Sequence, residues 1–197
     1  MTRTLLRLRA SRAMRISDDR YHRERQHMEL ALRFLRYEAR TRTIHAWTGL
    51  SDDRIRKLYR SYLGDARRDL PRHRGKSPRQ IAYFTRSLRM QEETVALASA
   101  LWLLGVRPAE GAGEPPGSRA RLARGELLCQ AFEAYRLVCP GALISFEHAV
   151  FLATTLAAGE LLRIAWCAEC GALTVAEPFA LRAVRCRHCN GVRQARC

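Results

Sequence analysis

Lysine is almost absent from this basic chain. Only Lys57 and Lys76 are lysine among 35 lysine and arginine residues, and 19 residues are acidic, so the formal net charge is +16. Arginine presents a planar, charged fork that suits phosphate groups and guanine edges. The excess of positive charge therefore indicates a polyanionic partner, with nucleic acid first and an anionic membrane or an acidic protein second.

The motifs of several enzyme classes are also absent. The sequence has no glycine-rich phosphate loop, no Gly-x-Ser-x-Gly elbow and no HExxH helix, so we expect that the protein is not an enzyme. No apolar run reaches the roughly 18–20 residues that span a bilayer, and residues 1–15 lack the apolar centre of a secretory signal. We therefore expect a cytoplasmic protein with no membrane partner.

Four cysteines near the C-terminus form the most specific pattern in the chain. Cys167 and Cys170 are separated by fifteen residues from Cys186 and Cys189, which gives the order CxxC-x15-CxxC. Zinc prefers a tetrahedron of soft ligands, and two CxxC pairs at this separation supply four thiolates. The spacing predicts one structural zinc ion per chain, bound by these four cysteines.

Other interpretations of the cysteines remain open. Two disulfides or buried thiols are one alternative, although no signal peptide indicates an oxidising compartment. A catalytic zinc is another, but such sites usually keep three protein ligands and an open position. Glu169 and His188 lie inside the CxxC loops, where they are most often solvated, and His188 could replace one cysteine. Gly171 and Asn190 follow the two pairs, and both residue types tolerate positive φ.

Helical periodicity predicts a mainly α fold. Helices are predicted over residues 21–47, 51–63, 81–104, 118–138 and 145–164, and short strands at 173–175 and 183–184. The predicted organisation has three parts: a basic N-terminal arm (1–20), a helical domain (21–163) with a basic loop at 65–80, and a zinc-ribbon-like module (164–197). Two further cysteines lie in apolar segments and are predicted to be buried thiols: Cys129 and Cys139.

The stretch over residues 41–63 has the outline of a helix-turn-helix: a helix, a short turn containing Gly49, and a basic second helix that Ser51 can cap. The alternative is an αα-hairpin with one packed face and one solvated basic face. For the basic loop, the alternative is a flexible solvated tether. The candidate DNA-binding residues lie on the second helix and in the loop: Arg54, Arg56, Lys57, Arg60, Arg67, Arg68, Arg72, Arg74, Lys76 and Arg79.

Three passages add a resemblance to a known family: TGLSDDRIRKLYRSYLG (48–64), LASALWLLG (97–105) and AAGELLRIAWCAECG (157–171). Together with the cysteine spacing they resemble the FlhC family, the zinc-containing subunits of the bacterial flagellar master regulator FlhD–FlhC, over about residues 25–192. The chain departs from that family in its Arg-rich arm of about twenty residues and in ending eight residues after Cys189, as a divergent paralogue would.

The resemblance implies a mostly helical fold and zinc bound by the four cysteines. It also implies a hetero-oligomer with FlhD that binds promoter DNA and activates flagellar class II genes through RNA polymerase. An RNA-binding or ribosome-associated zinc-ribbon protein is the alternative, although readers of single-stranded RNA usually present stacking aromatic side chains. A zinc hydrolase is a third possible class, but the sequence shows no set of ligands that would leave an open position on the metal.

Overall fold

Eight helices and a two-stranded sheet make up the described part of the chain. The structure is a computed structural model, which describes residues 19–62, 73, 75–106, 118–179 and 183–194. The elements in chain order are α1 (Asp19–Arg36), α2 (Thr41–Thr48), α3 (Asp52–Tyr62), α4 (Ala82–Thr85), α5 (Leu88–Leu103), α6 (Ser118–Val138), α7 (Phe146–Ala158), β1 (Arg163–Trp166), β2 (Leu173–Ala176) and α8 (Arg187–Gln194). The fold is mainly α with a C-terminal four-cysteine module, as the sequence predicts. None of the helices in these ranges is long and apolar enough to cross a membrane.

The core is centred on aromatic side chains of α1, α6 and α7. The ring of Phe146 lies edge-to-face against Phe34 and Phe132, with centroids 4.8 and 5.2 Å away, and all three side chains are buried. Burying one such side chain stabilises the fold by about 1.5–3 kcal/mol. α6 also approaches α1 closely, because a Cβ on Gly125 would lie 2.6 Å from Leu30 Cδ2. This core supports α2 and α3, which pack against α1.

The predicted helix over residues 21–47 is in fact two helices. Between α1 and α2, Glu38 adopts a left-handed conformation with φ of 60°. The carboxylate of Glu147 on α7 accepts hydrogen bonds from the Arg40 backbone N–H (2.8 Å) and the Thr43 hydroxyl (3.0 Å). A carboxylate there satisfies the free donors at the start of α2 and complements the helix dipole. A contact from a distant segment therefore fixes where α2 begins.

Two other predicted helices are shorter than expected. The prediction over residues 81–104 corresponds to α4 and α5, because the Ser87 side chain accepts a hydrogen bond from the Met90 N–H (3.2 Å) and begins a new helix. Gly159, with φ of 68°, ends α7. The last residues of the helix predicted over 145–164 therefore lie in β1 instead.

The prediction over residues 118–138 is confirmed, since α6 covers the same residues. The predicted arm over 1–20 lies outside the described residues, except that residues 19 and 20 belong to α1. In the basic loop over 65–80, residues 65–72 and 74 also lie outside the described residues. Its described end at 75–80 contains neither helix nor strand.

The sheet pairs β1 with β2 in an antiparallel arrangement that sets Arg163 opposite Ala176. The strand predicted at 173–175 is confirmed by β2, but the strand predicted at 183–184 is wrong. The Val184 carbonyl only accepts one hydrogen bond, from the Ala168 N–H (2.9 Å). The sequence prediction missed the true partner strand, β1, because it assigned the first two residues of that strand, Arg163 and Ile164, to the preceding helix.

The C-terminal module packs directly against α5. The Trp166 ring of β1 meets Trp102 of α5 edge to face, with centroids 6.3 Å apart. On α8, Arg187 forms an ion pair with Glu92 and donates a hydrogen bond to the Leu88 carbonyl (3.0 Å). The module is therefore attached to the helical domain through α5.

Candidate metal centre and nucleic-acid interface

The first CxxC pair lies in the connection between β1 and β2. The Cys167 N–H donates a hydrogen bond to the Ala172 carbonyl (2.8 Å), and the Gly171 N–H donates one to the Cys167 carbonyl (2.9 Å). Gly171 has φ of 68°, as the sequence predicts, a conformation that glycine adopts without steric penalty. This tight turn brings Cys170 back toward Cys167.

The second pair lies at the start of α8. Cys186 immediately precedes this helix, and the Asn190 N–H donates a hydrogen bond to the Cys186 carbonyl (3.0 Å). Asn190 is therefore helical, although its residue type also tolerates positive φ. The three-residue spacing places Cys189 on the same helix face as Cys186.

The four sulfur atoms converge on one point. All four Sγ atoms lie within 4.8 Å of one another, and those of Cys170 and Cys186 are 3.5 Å apart. A tetrahedral site with zinc–sulfur bonds of about 2.3 Å has sulfur atoms about 3.8 Å apart, whereas a disulfide needs about 2.05 Å. All four cysteines are free in the structure. The cluster can therefore hold one metal ion, and the disulfide alternative does not describe it.

Hydrogen bonds shift the pKa values of Cys167 and Cys189 in opposite directions. The backbone N–H groups of Cys186, Cys170 and Glu169 donate toward the Cys167 sulfur and lower the pKa of that thiol to about 6. Hydrogen bonds with the side chains of Cys170 and Cys186 raise the pKa of Cys189 to about 12. Four sulfur atoms this close cannot all ionise without a compensating cation. A divalent metal ion supplies that charge and displaces the remaining protons.

The other polar side chains of the two CxxC loops are not part of the cluster. Glu169 forms an ion pair with Arg185, whose Nε lies 3.1 Å from Oε1, and His188 is exposed. Sulfur supplies all four corners of the candidate site, which leaves no open position for a substrate or a water molecule. The donor set therefore fits a structural metal rather than a catalytic one.

Residues 41–62 form the predicted arrangement of helix, turn and helix. α2 ends at Gly49, which has φ of 70° and whose N–H donates a hydrogen bond to the His45 carbonyl (2.8 Å). The Ser51 carbonyl accepts a hydrogen bond from the Ile55 N–H (3.0 Å), so α3 begins at the predicted cap. The turn between the two helices is therefore held by specific hydrogen bonds.

The α3 helix buries one face and exposes the other. Ile55 and Leu58 are buried, and Tyr59 is half-buried. Tyr62, which the sequence places in the same apolar stripe, is 62% exposed. The buried stripe thus covers only the first two turns of the helix.

Two of the four predicted basic residues on α3 are paired with carboxylates. Arg54 forms an ion pair with Glu24 of α1, and Arg56 forms one with Asp53 at 3.1 Å. Each of these carboxylates offsets part of the positive charge that the sequence alone suggests. The pairing with Glu24 joins residues thirty positions apart, so it has no local signal in the sequence.

The other two basic residues of α3 face solvent. Lys57 and Arg60 are exposed and form no ion pair with any residue in the described ranges. Their three-residue spacing places them on one face of the helix. They are therefore the α3 side chains with the most accessible positive charge.

The described end of the basic loop lies at the start of α2. The Arg40 guanidinium donates a hydrogen bond to the Lys76 carbonyl, and His73 Nε2 lies 3.0 Å from a Glu38 carboxylate oxygen. The side chains of Lys76 and Arg79 are exposed. An eight-residue helix is about 12 Å long. The described end of the basic loop is therefore separated from the start of α3 by the length of α2. The remaining predicted contacts lie outside the described residues: Arg67, Arg68, Arg72 and Arg74.

A cleft of about 780 Å³ lies between α1, α6 and the α2–α3 turn, and no sequence motif marks it. Four arginine side chains line it: Arg20, Arg23, Arg54 and Arg121. Only Arg54 was a sequence candidate. Arginine is so common in this chain that no local pattern marks the others, and only the packing of α6 on α1 brings them together.

No protein-family model matches this chain, and no curated protein matches its sequence. Function therefore has to be argued from the geometry and chemistry of the site itself.

Proposed function

We propose that this protein is a zinc-stabilised, DNA-binding subunit of a transcriptional activator of the FlhC kind. It acts with FlhD at flagellar promoters and recruits RNA polymerase. The α2–α3 hairpin carries this proposal, because its outer face presents Lys57 and Arg60 beside a turn of fixed geometry. The FlhC-like passage at residues 48–64 spans the same turn and helix.

Zinc is the metal that we propose for the four-cysteine cluster. Tetrahedral sites made only of thiolates select zinc or iron–sulfur clusters, and the paired CxxC spacing is that of structural zinc sites. The metal would hold the module against α5, where Trp166 and Arg187 make their contacts.

The charge distribution along α3 supports contacts from the middle of the helix. Asp52 and Asp53 occupy its first turn and are exposed, where their carboxylates would repel DNA phosphates. Lys57 and Arg60 lie one and two turns further along. We therefore place the phosphate contacts at these two side chains, which position the protein on the duplex.

Changing Lys57 and Arg60 together to glutamine should weaken duplex binding about tenfold at 0.1 M salt. Each phosphate neutralised contributes a slope of roughly 0.9 to the logarithmic salt dependence, so the slope should fall by about two. Fluorescence anisotropy with a labelled 25-bp promoter duplex and a random duplex, at four salt concentrations, measures both quantities.

The matched control changes Arg36 and Arg42 to glutamine, since both are exposed arginines outside α3. The duplex affinity of this control variant should fall about twofold or less, because the substitutions lower only the overall positive charge of the protein. A loss confined to the promoter duplex in the Lys57 and Arg60 variant would indicate base contact. Equal losses in the two double variants would refute a contact by α3.

RNA binding by the C-terminal module is the second candidate function. Trp166 is 56% exposed and Phe179 is 87% exposed, so the module presents aromatic rings on which bases could stack. The same anisotropy assay with a single-stranded RNA separates the two functions. A wild-type preference for RNA over duplex DNA that disappears in W166A/F179A would favour this candidate over the first.

Exposed apolar side chains support the proposed partner. Leu103, Leu137 and Val138 are 81, 84 and 73% exposed at the ends of α5 and α6, although the inner faces of these helices are covered by the chain itself. We expect co-expression with FlhD to give a stable complex and a higher soluble yield. Size-exclusion chromatography with light scattering checks this. A monodisperse monomer that is unaffected by FlhD would exclude that partner.

A further inference from the structure

We propose that the cleft between α1, α6 and the α2–α3 turn is a binding site for a phosphate group. α1 contributes Arg20 and Arg23 to the lining, α3 contributes Arg54 and α6 contributes Arg121. Guanidinium groups bind phosphate through paired N–H donors, and four arginines from three helices line this cleft. Concave, charged sites also concentrate the field that attracts an anion.

The carboxylate content of the cleft is low. Glu24 is the one acidic side chain in the described lining, and it forms an ion pair with Arg54. By contrast, Arg33 of α1 contacts two carboxylates, those of Glu126 and Glu133. The described lining therefore holds four arginines and one carboxylate, a composition that fits an anionic ligand.

The interior of the cleft is partly apolar and partly fixed by hydrogen bonds. Leu50 and Leu122 line it and are 5 and 7% exposed. His27 also lines it, and its Nδ1 is hydrogen-bonded to the Thr48 carbonyl. A volume of about 780 Å³ lies within the usual range for small-molecule sites. The site thus suits a nucleotide unit, with its phosphate on the arginines and its apolar surface against the leucines.

The ligand comes from outside the chain. Residues 1–18 precede α1 directly and carry five arginines against one aspartate, so like-charge repulsion disfavours this segment as the occupant. Two external sources provide the required chemistry, namely the backbone of bound DNA and a free nucleotide. Thr48, Gly49 and Leu50 of the α2–α3 turn belong to the lining, so either ligand would contact the turn that positions α3.

Inorganic pyrophosphate is the probe that tests the cleft without DNA. Isothermal titration of the purified full-length protein at 50 mM salt should detect binding. Changing Arg23 and Arg121 to glutamine should weaken it about tenfold, whereas changing Arg36 and Arg42 should weaken it less than about twofold. Equal losses in both double variants, or no pyrophosphate binding by the wild type, would overturn the proposal.

A second variant should bind pyrophosphate more tightly than the wild type does, a result that a folding defect cannot produce. Changing Glu24 to glutamine removes the carboxylate of the cleft and releases Arg54, so pyrophosphate should bind about threefold more tightly. Unchanged or weaker binding in a variant with the wild-type circular dichroism spectrum would contradict the proposal.

Competition identifies the source of the phosphate. If DNA backbone is the ligand, saturating 25-bp duplex should displace pyrophosphate, and R23Q/R121Q should bind duplex with a smaller salt slope. If a free nucleotide is the ligand, ATP should displace pyrophosphate while duplex binds independently.

The cleft and the α3 face are tested by different variants. Failure of the cleft would leave the effect of Lys57 and Arg60 intact, and failure of the α3 contact would leave pyrophosphate binding intact.

Discussion

Replacing Cys167 by serine should remove the metal ion and unfold the module over residues 163–194. This sulfur receives the hydrogen bonds that lower its pKa to about 6, so it is readily available as a thiolate at neutral pH. Structural zinc contributes apparent binding free energies of about 10–16 kcal/mol in zinc-finger peptides. A segment this short cannot bury enough apolar surface to fold without such a contribution. Metal content should fall from one ion per chain to nearly none.

Elemental analysis and near-ultraviolet circular dichroism test this expectation together. The Trp102–Trp166 pair joins the module to α5, so unfolding of the module should remove the contribution of this pair to the near-ultraviolet signal. The third tryptophan, Trp47, packs against Phe34 outside the module and should keep its own contribution, and the far-ultraviolet helical signal should be largely retained. Cys139→Ser is the matched control, because this thiol lies outside the cluster. Full metal content in Cys167→Ser, or iron–sulfur absorbance in the wild type, would contradict the zinc assignment.

The features that the sequence predicted correctly are those with local causes. α6 has an unbroken helical pattern before Pro140, and the prediction matches it at both ends. The α2–α3 hairpin follows from Gly49 and from the acidic first turn of α3. The convergence of the four cysteines was predicted from their spacing, because each CxxC pair keeps its two sulfur atoms close and a fifteen-residue span is long enough for the two pairs to meet. Local chemistry was sufficient in each case.

The features that the sequence missed depend on distant contacts. Nothing near Arg40 marks the start of α2, because the decisive carboxylate is that of Glu147, more than a hundred residues later. The pairing of β1 with β2 was missed because β1 has only four residues and follows an apolar helix. The partial neutralisation of Arg54 depends on Glu24, thirty residues earlier. Such contacts exist only once the helices have packed.

A second large loss of stability is expected for a substitution in α5, the helix against which the metal module packs. Its buried residue Glu93 accepts hydrogen bonds from the Tyr135 hydroxyl, from the Leu143 N–H (2.7 Å) and from Arg89 Nε (3.1 Å). Changing Glu93 to alanine leaves the buried Tyr135 hydroxyl and the Leu143 N–H without their acceptor. We expect a loss of about 3–5 kcal/mol in the free energy of unfolding at pH 7, measured by urea denaturation.

The effect of Glu93→Ala should depend on pH. Burial raises the pKa of Glu93, but the hydrogen bonds from Tyr135, Leu143 and Arg89 outweigh burial and leave the pKa below its ordinary value of 4.5. A carboxylate with a lowered pKa contributes stability that is complete above its ordinary pKa and is lost as the pH falls through the lowered value. The gap in unfolding free energy between wild type and variant should therefore be widest near pH 7 and should narrow below pH 4.5.

Glu92→Ala is the control for this experiment, because it removes the neighbouring carboxylate, which is 65% exposed and pairs with Arg187. An exposed ion pair contributes about 1 kcal/mol or less, so this variant should lose little stability at any pH. Acid also releases the metal ion, but both proteins in each comparison lose it together, so the difference between them isolates the carboxylate. A gap between wild type and Glu93→Ala that stays constant from pH 7 to pH 3.5 would mean that Glu93 acts only through packing. A loss no larger than that of Glu92→Ala would mean that the network of Tyr135 and Leu143 does not stabilise α5.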